Sequence, residues 1–323
     1  MIQEVVPNLY RLEIELPNMP LKTLSSYLIK GVGRNLIIDT GLNHPKCLES
    51  MHSYLKELGV DLRETDIFIT HHHADHAGLV SSLVTDTSMI YCSKHDSYLF
   101  SKADDVNKSW DEKRCFMVRN GFPENQVNIA INNIPNSTYA CLNHIKLSEG
   151  DILCAGTYQF RCIETPGHSK GHLCLYEPDQ KLLVAGDHIN AKITPNIALV
   201  SDTENPLKEY LESLEKVENL EVDLVLTGHG SLIKNCRQRI LELKHHCERR
   251  DAEVLAILKQ GEKTTYQLAS ELKWDMNYES WESFSPTNKL FAICETGAHL
   301  IYIKEKGFIK SEVSDQQVVF SLN

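Results

Sequence analysis

At 323 residues the chain is long enough for about two domains. Its 42% hydrophobic and 24% charged content excludes a fibrous, collagen-like or mainly disordered protein. With 33 Lys and Arg against 44 Asp and Glu the formal charge is −11, which disfavours a general nucleic-acid coat but leaves a local basic groove open.

No apolar run approaches the roughly 18 residues that span a bilayer. The opening MIQEVVPNLYRLEIELP has an early acid and no long apolar core, so it does not read as a signal peptide. Ten cysteines are scattered without a CxxC pair, which reads as reduced thiols in a cytoplasmic protein. Expected partners are a small-molecule substrate and no membrane. Oligomeric state stays open.

In chain order, Tyr27–Lys30 and Asn35–Asp39 read as short strands and Pro45–Leu58 as a helix, with Leu48, Met51, Leu55 and Leu58 at three- and four-residue spacing. Asp66–Thr70 reads as a buried strand, Val80–Val84 as the start of a helix and Met89–Cys92 as a strand. Residues 93–140 lose the rhythm and read as an insertion. It carries polar helix-like pieces at Asp96–Lys102 and Ser109–Asn120, then an Asn-rich stretch. Tyr98, Phe100, Trp110 and Phe116 in it read either as an apolar lid or as helix packing. Strands are expected near Gln159–Ile163, Leu173–Glu177, Leu182–Ala185 and Asp223–Thr227, and a helix over Pro206–Leu220. Strands alternating with helices in each half argue for a layered α/β or α+β domain. Past residue 237 the pattern becomes a long helix to Lys259, a Thr-capped helix within Lys263–Trp274, a helix over Asn288–Glu305 and a strand pair over Lys306–Leu322. That order is a winged-helix pattern, so the chain divides into residues 1–240 and a winged-helix-like domain over 241–323.

The chemistry concentrates at Thr70–Gly78, THHHADHAG. Imidazole and carboxylate are ligands for zinc and similar divalent ions. His71 and His73, two apart on a segment leaving a strand, project to one side. Asp75 and His76 can turn to a second point, so the cluster suits two adjacent metals. His72, between ligands, should point away. Three later strand ends each place a ligand-type residue beside glycine: Gly167-His168, Gly186-Asp187 and Gly228-His229. Small residues there let the backbone approach an ion closely.

HxHxDH followed by TPGH, GD and GHG resembles the metallo-β-lactamase-fold hydrolases over about residues 5–235. The resemblance implies an αββα sandwich. It implies one metal on His71, His73 and His168 and a second on Asp75, His76 and His229, with Asp187 bridging. Asp39 in NLIIDTG is then an orienting group behind the ligands. His172 reads as another group behind them or as packing. The string GDHINAKITPNI with the tail helices is similar to a narrower group, metallo-hydrolases with a C-terminal winged helix such as β-lactamase-like protein 2.

The reading that follows is a dinuclear zinc hydrolase, with iron or manganese as other occupants, in which two ions share a hydroxide that attacks an ester, thioester, lactone or similar acyl group. Asp75 is the expected catalytic residue, orienting the nucleophile and passing a proton to the leaving group. The alternative is a phosphodiesterase or nuclease acting on single-stranded RNA. Residues 250–323 hold eight Lys and Arg against eleven Asp and Glu, which is not a nucleic-acid-reading charge pattern. A third class is a di-iron redox protein, for which no flavin-binding segment is evident. His299 and Glu295, four apart on the tail helix, are expected to reach the mouth of the site or to pair with each other.

Overall fold

Alternation along three strands shows how the site-bearing part is layered. In β3 (Thr23–Ile29), β4 (Asn35–Ile38) and β5 (Thr65–Phe68), successive residues go to opposite faces, as the pleat requires. Leu24, Leu28, Ile37 and Ile67 enter a core with Cys47, Met51 and Leu55 of α1 (Pro45–Glu57). Tyr27, Ile29, Leu36, Ile38 and Phe68 enter a second core with Phe160, Cys162, Leu175, Val184 and Leu226 of another sheet. The first sheet therefore has helix on one face and sheet on the other. This is a mixed α/β sandwich in which layers share apolar side chains.

The computed structural model describes residues 1–97, 114–133, 144–201, 203–275 and 280–323. They form two compact units: residues 1–103, 136–195 and 213–240, and residues 104–135, 196–212 and 241–323. The first unit holds a seven-stranded sheet in chain order, with β1 (Ile2–Val6), β2 (Leu9–Glu15), β6 (Ile90–Ser93) and β7 (His144–Leu147) beside the three strands above. Its second sheet has the order β12-β11-β10-β9-β8, formed by Leu224–Thr227, Leu182–Gly186, Leu173–Glu177, Tyr158–Glu164 and Ile152–Ala155. β4, β5 and β6 run parallel, as do β11 and β12. Parallel neighbours bring their carboxyl ends to one edge, so Asp39 and His71 leave one sheet together and Asp187 and His229 leave the other together. Two four-residue helices, α2 (Ala74–Ala77) and α3 (Val80–Leu83), follow β5.

The second unit contains α4 (Glu124–Asn132), most of α6 (Cys236–Leu258), α7 (Thr265–Glu271) and α8 (Pro286–Glu305). It also holds a three-stranded sheet of order β13-β15-β14, formed by Lys263–Thr264, Gln317–Leu322 and Ile309–Ser314. The helix α5 (Pro206–Glu218) has residues in both units. Val254, Leu258, Leu268, Leu300, Ile303, Ile309 and Phe320 make the core of the second unit. Thr264 caps α7 in a reciprocal capping box with Gln267. Asn120 accepts from the Thr265 hydroxyl at 2.7 Å and, through its carbonyl, from Tyr266 N at 3.1 Å, so residues 114–133 pack with this unit. The Asn-rich stretch forms a helix because Val127 and Ala130 are buried on one side of it. Phe116 is buried; Tyr98, Phe100 and Trp110 lie outside the described residues. No helix among the described residues is long and apolar enough to cross a membrane.

Candidate metal centre

His71, His76 and His229 are each aimed by a hydrogen bond on one ring nitrogen. His71 Nδ1 lies 3.0 Å from the Thr70 hydroxyl. That hydroxyl donates to Asp39 Oδ2 at 2.8 Å, so it is left to accept the imidazole proton. His76 Nδ1 lies 2.7 Å from Asp39 Oδ2, and His229 Nδ1 lies 2.7 Å from the Thr23 carbonyl. In each of these rings the other nitrogen, Nε2, faces the centre. This is the division of labour seen in metal-ligating imidazoles.

Asp39 does more than one task. Its φ of 57° is left-handed, a conformation Asp tolerates better than most residues. The carboxylate thereby turns back to accept from Thr70 N at 2.9 Å as well as from the Thr70 hydroxyl and His76. Thr40 N and Oγ1 hold the His76 carbonyl at 2.6 and 2.8 Å. The turn after β4 thus fixes both ends of His76.

Three groups of donor atoms come within 4.8 Å of one another: His71, His73 and His168; His71, His76 and Asp187; and Asp75, His76 and His229. In the first, His73 Nδ1 sits 3.0 Å from His71 Nε2 and 2.9 Å from His168 Nε2. Between these, Asp187 Oδ2 is 3.6 Å from His168 Nε2 and 3.5 Å from His76 Nε2. Its Oδ1 is 3.4 Å from His229 Nε2. Asp75 Oδ2 is 3.3 Å from His229 Nε2 and 3.8 Å from His76 Nε2. All seven ligand-type residues named from the sequence converge.

The two halves differ electrostatically. Burial, then the neighbouring rings, hold His71 and His73 well below the usual imidazole range. Burial is the largest influence on His76 and His229 and opposes charge there, but the surrounding carboxylates, Asp187 foremost, together outweigh it. Asp39 and Asp75 assist at His76, which stays well above 6.5, and Asp75 assists at His229, which is pushed up to about 10. Asp187 is held well below the carboxylate range despite burial, because His229 and His76 face it. The donor set suits a divalent ion in each half. His76 Nε2 and His229 Nε2 are buried without a hydrogen-bond partner while surrounded by carboxylate oxygens at 3.3–3.8 Å. Imidazole and carboxylate at this density fit zinc, iron or manganese.

Close approach requires glycine at Gly228, where a Cβ would lie 2.5 Å from Asp187 Oδ1 and 2.9 Å from His76 Cε1. His172 Nε2 accepts from Asp187 N at 3.2 Å while its Nδ1 lies 2.8 Å from the Thr165 hydroxyl, so it holds the Asp187 backbone. His72 points to Asp96, 3.5 Å away. His188 is fully buried. Glu295 and His299 pair elsewhere: Asn196 donates to Glu295 Oε2 at 2.9 Å, and His299 Nδ1 lies 2.6 Å from Asp251 Oδ1.

The sequence reading passed over two residues. Arg11 donates to the Gly230 carbonyl at 2.7 Å and to the Ser25 hydroxyl at 2.9 Å, bracing the turn that carries His229. Asn190 donates to Asp187 Oδ1 at 3.0 Å and accepts from His229 N at 2.9 Å. An Asn three residues after Gly-Asp was the available signal for the second. Arg11 left none.

The Metallo-beta-lactamase superfamily matches residues 22–123 and 158–229, more than half of the chain. The chain is 26% identical over 308 residues to Probable metallo-hydrolase YqjP of Bacillus subtilis, covering 91% of this chain and 92% of that one. Two relatives are 24% identical over 250 residues, each covering 76% of this chain. One is Beta-lactamase-like protein 2 homolog of Caenorhabditis elegans, 68% of which is covered. The other is Atrochrysone carboxyl ACP thioesterase of Aspergillus fumigatus, 64% of which is covered. Among solved structures, a metallo-beta-lactamase family protein from Thermus thermophilus matches with a TM-score of 0.82 and 28% identity, over 99% of this chain and 100% of that one.

Proposed function

The chain belongs to the metallo-β-lactamase superfamily, and from that premise we propose that it is a dinuclear zinc-dependent hydrolase of an ester, thioester, lactone or similar acyl substrate. The observation that carries this reading is the position of Asp187, whose Oδ2 stands 3.6 Å from the first set of donors at His168 and 3.5 Å from the second at His76. A carboxylate so placed can serve both sets. One of the relatives is named a thioesterase, which favours an acyl substrate.

Two divalent ions on these donors would polarise the scissile carbonyl and lower the pKa of a shared water toward neutrality. The chain supplies the positioning. Asp39 engages both its oxygens in holding Thr70 and His76, and Asp187 faces imidazoles through both. Asp75 makes its two imidazole contacts through Oδ2 alone. It is therefore the carboxylate placed to accept a hydrogen bond from an attacking water and to hand that proton to the leaving group. Residues 241–323 are read as a winged-helix-like domain; their helices and the hairpin of β14 and β15 support this.

The test is a panel of thioesters and lactones with zinc-loaded protein. Turnover is expected with loaded protein, absent after chelation and restored by zinc. Asp75→Asn should cut kcat by about 100-fold or more while keeping at least one equivalent of metal. Full activity in chelated protein, or in the Asn variant, overturns the reading.

A further inference from the structure

The two donor sets are not braced alike. His71, His73 and His168 lean on Thr70 and on one another, at 2.9–3.0 Å. In the second set His76 is held by Asp39 and Thr40 and His229 by Thr23, and the link between Asp187 and His229 runs through a single side-chain amide. Asn190, 1% exposed, uses both ends of it: Nδ2 donates to Asp187 Oδ1, the carboxylate oxygen turned toward His229, and Oδ1 accepts from His229 N. Asn190 is itself fixed from a third segment. Arg239, near the start of α6, donates from Nε to the Asn190 carbonyl at 2.7 Å and from Nη2 to the Ile193 carbonyl at 2.8 Å.

We propose that Asn190 is a positioning residue that sets the affinity of the second metal position, formed by Asp75, His76, His229 and one oxygen of Asp187, and not that of the first. The inference rests on the two-ion reading above. The direction of each bond determines the selectivity. The Nδ2–H fixes the rotation of the Asp187 carboxylate, which places Oδ1 toward His229. The amide oxygen fixes the backbone of His229, whose side chain is anchored separately at Thr23. Without Asn190, Asp187 Oδ1 and His229 are no longer held to each other, whereas His71, His73 and His168 keep braces in which Asn190 has no part. Groups behind metal ligands typically change metal affinity by about 10–100-fold when removed.

The experiment is zinc titration of metal-stripped protein against a chromophoric chelator, with metal content by elemental analysis, for wild type, Asn190→Ala and Asn190→Asp. Asn190→Asp keeps the shape and the acceptor for His229 N but replaces the donor to Asp187 with a like charge. Far-UV circular dichroism checks the fold of each. Wild type is expected to bind two equivalents. Both variants should bind the first as wild type does and the second at least about tenfold more weakly, with Asn190→Asp no better than Asn190→Ala. Equal loss at both positions marks a merely structural role and overturns the proposal, as does an unchanged second affinity in the folded Asn190→Asp protein. Wild type that binds one equivalent overturns the two-ion reading itself, and is seen before any substitution is made.

Discussion

Single residues here do their work by what they leave free. Thr70, Asp39 and the Thr23 carbonyl each take one nitrogen of an imidazole, and the consequence appears on the other nitrogen, on the far side of the ring. Glu295 shows the opposite economy, a charge with no release. Burial of its carboxyl end raises its pKa above the ordinary 4.5, against the pull of His299, Arg250 and the Asn196 amide. The folded protein then holds that proton more tightly than the unfolded chain does. Its contribution to stability is complete below about pH 4.5 and is lost as pH rises through the elevated folded value. Above that elevated value the ionised carboxylate is a standing cost. Glu295→Gln keeps the shape and an oxygen for Asn196. Its urea midpoint should exceed that of wild type at pH 7, and the gap should close toward pH 4. A lower midpoint at pH 7 would show that the charge is compensated in full.

At the scale of elements, the site is a set of strand ends, and each end needs a turn tight enough to admit what it carries. The turn after β12 is the tightest of these: a side chain at Gly228 would collide with both Asp187 and His76. Gly228→Ala should leave the sheet intact by circular dichroism, lower stability by about 1–3 kcal/mol as overpacking does, and release the second equivalent of metal. Retention of both equivalents would show that the turn can open without moving Asp187. These ends were legible in the sequence because a short apolar run followed by glycine and a ligand-type residue is a local pattern. The helix α1 was legible for the same reason, its apolar residues recurring at helical spacing. What stayed hidden was set by tertiary contact. Glu295 and His299 have the spacing of an ion pair, yet each finds a partner on another segment. Arg11 acts through a bond to distant backbone, which no local pattern announces, and Asn190 left only its place three residues after Asp187. The segment Glu124–Asn132 is rich in Asn, a poor helix former that competes for its own backbone, and becomes helical because Val127 and Ala130 bury. The strands β1 and β2 went unread although Leu12 and Ile14 alternate with Arg11 and Glu13.

At the scale of the whole molecule, charge separates the two substrate classes that the metal centre alone would serve equally. Carbonyl and phosphoryl centres are both open to attack by a metal-activated water. A phosphate backbone must also approach a chain carrying −11. Binding of single-stranded nucleic acid draws its free energy from Lys and Arg that displace counterions, and log K then falls with log salt at a slope of about −0.7 per phosphate neutralised. Here 33 basic residues are outnumbered by 44 acidic ones, and among the basic ones Lys94, Lys181, Lys208, Lys216 and Arg34 are held in ion pairs with carboxylates. An uncharged thioester or lactone meets no such barrier. Zinc-loaded protein should therefore hydrolyse members of the acyl panel while leaving a labelled single-stranded RNA intact and unshifted in a native gel, even at low salt where electrostatic binding is strongest. RNA cleavage that requires the metal and weakens with salt along a slope of several phosphates would reverse the assignment. It would mean that a basic groove, invisible in the totals, governs approach to the centre.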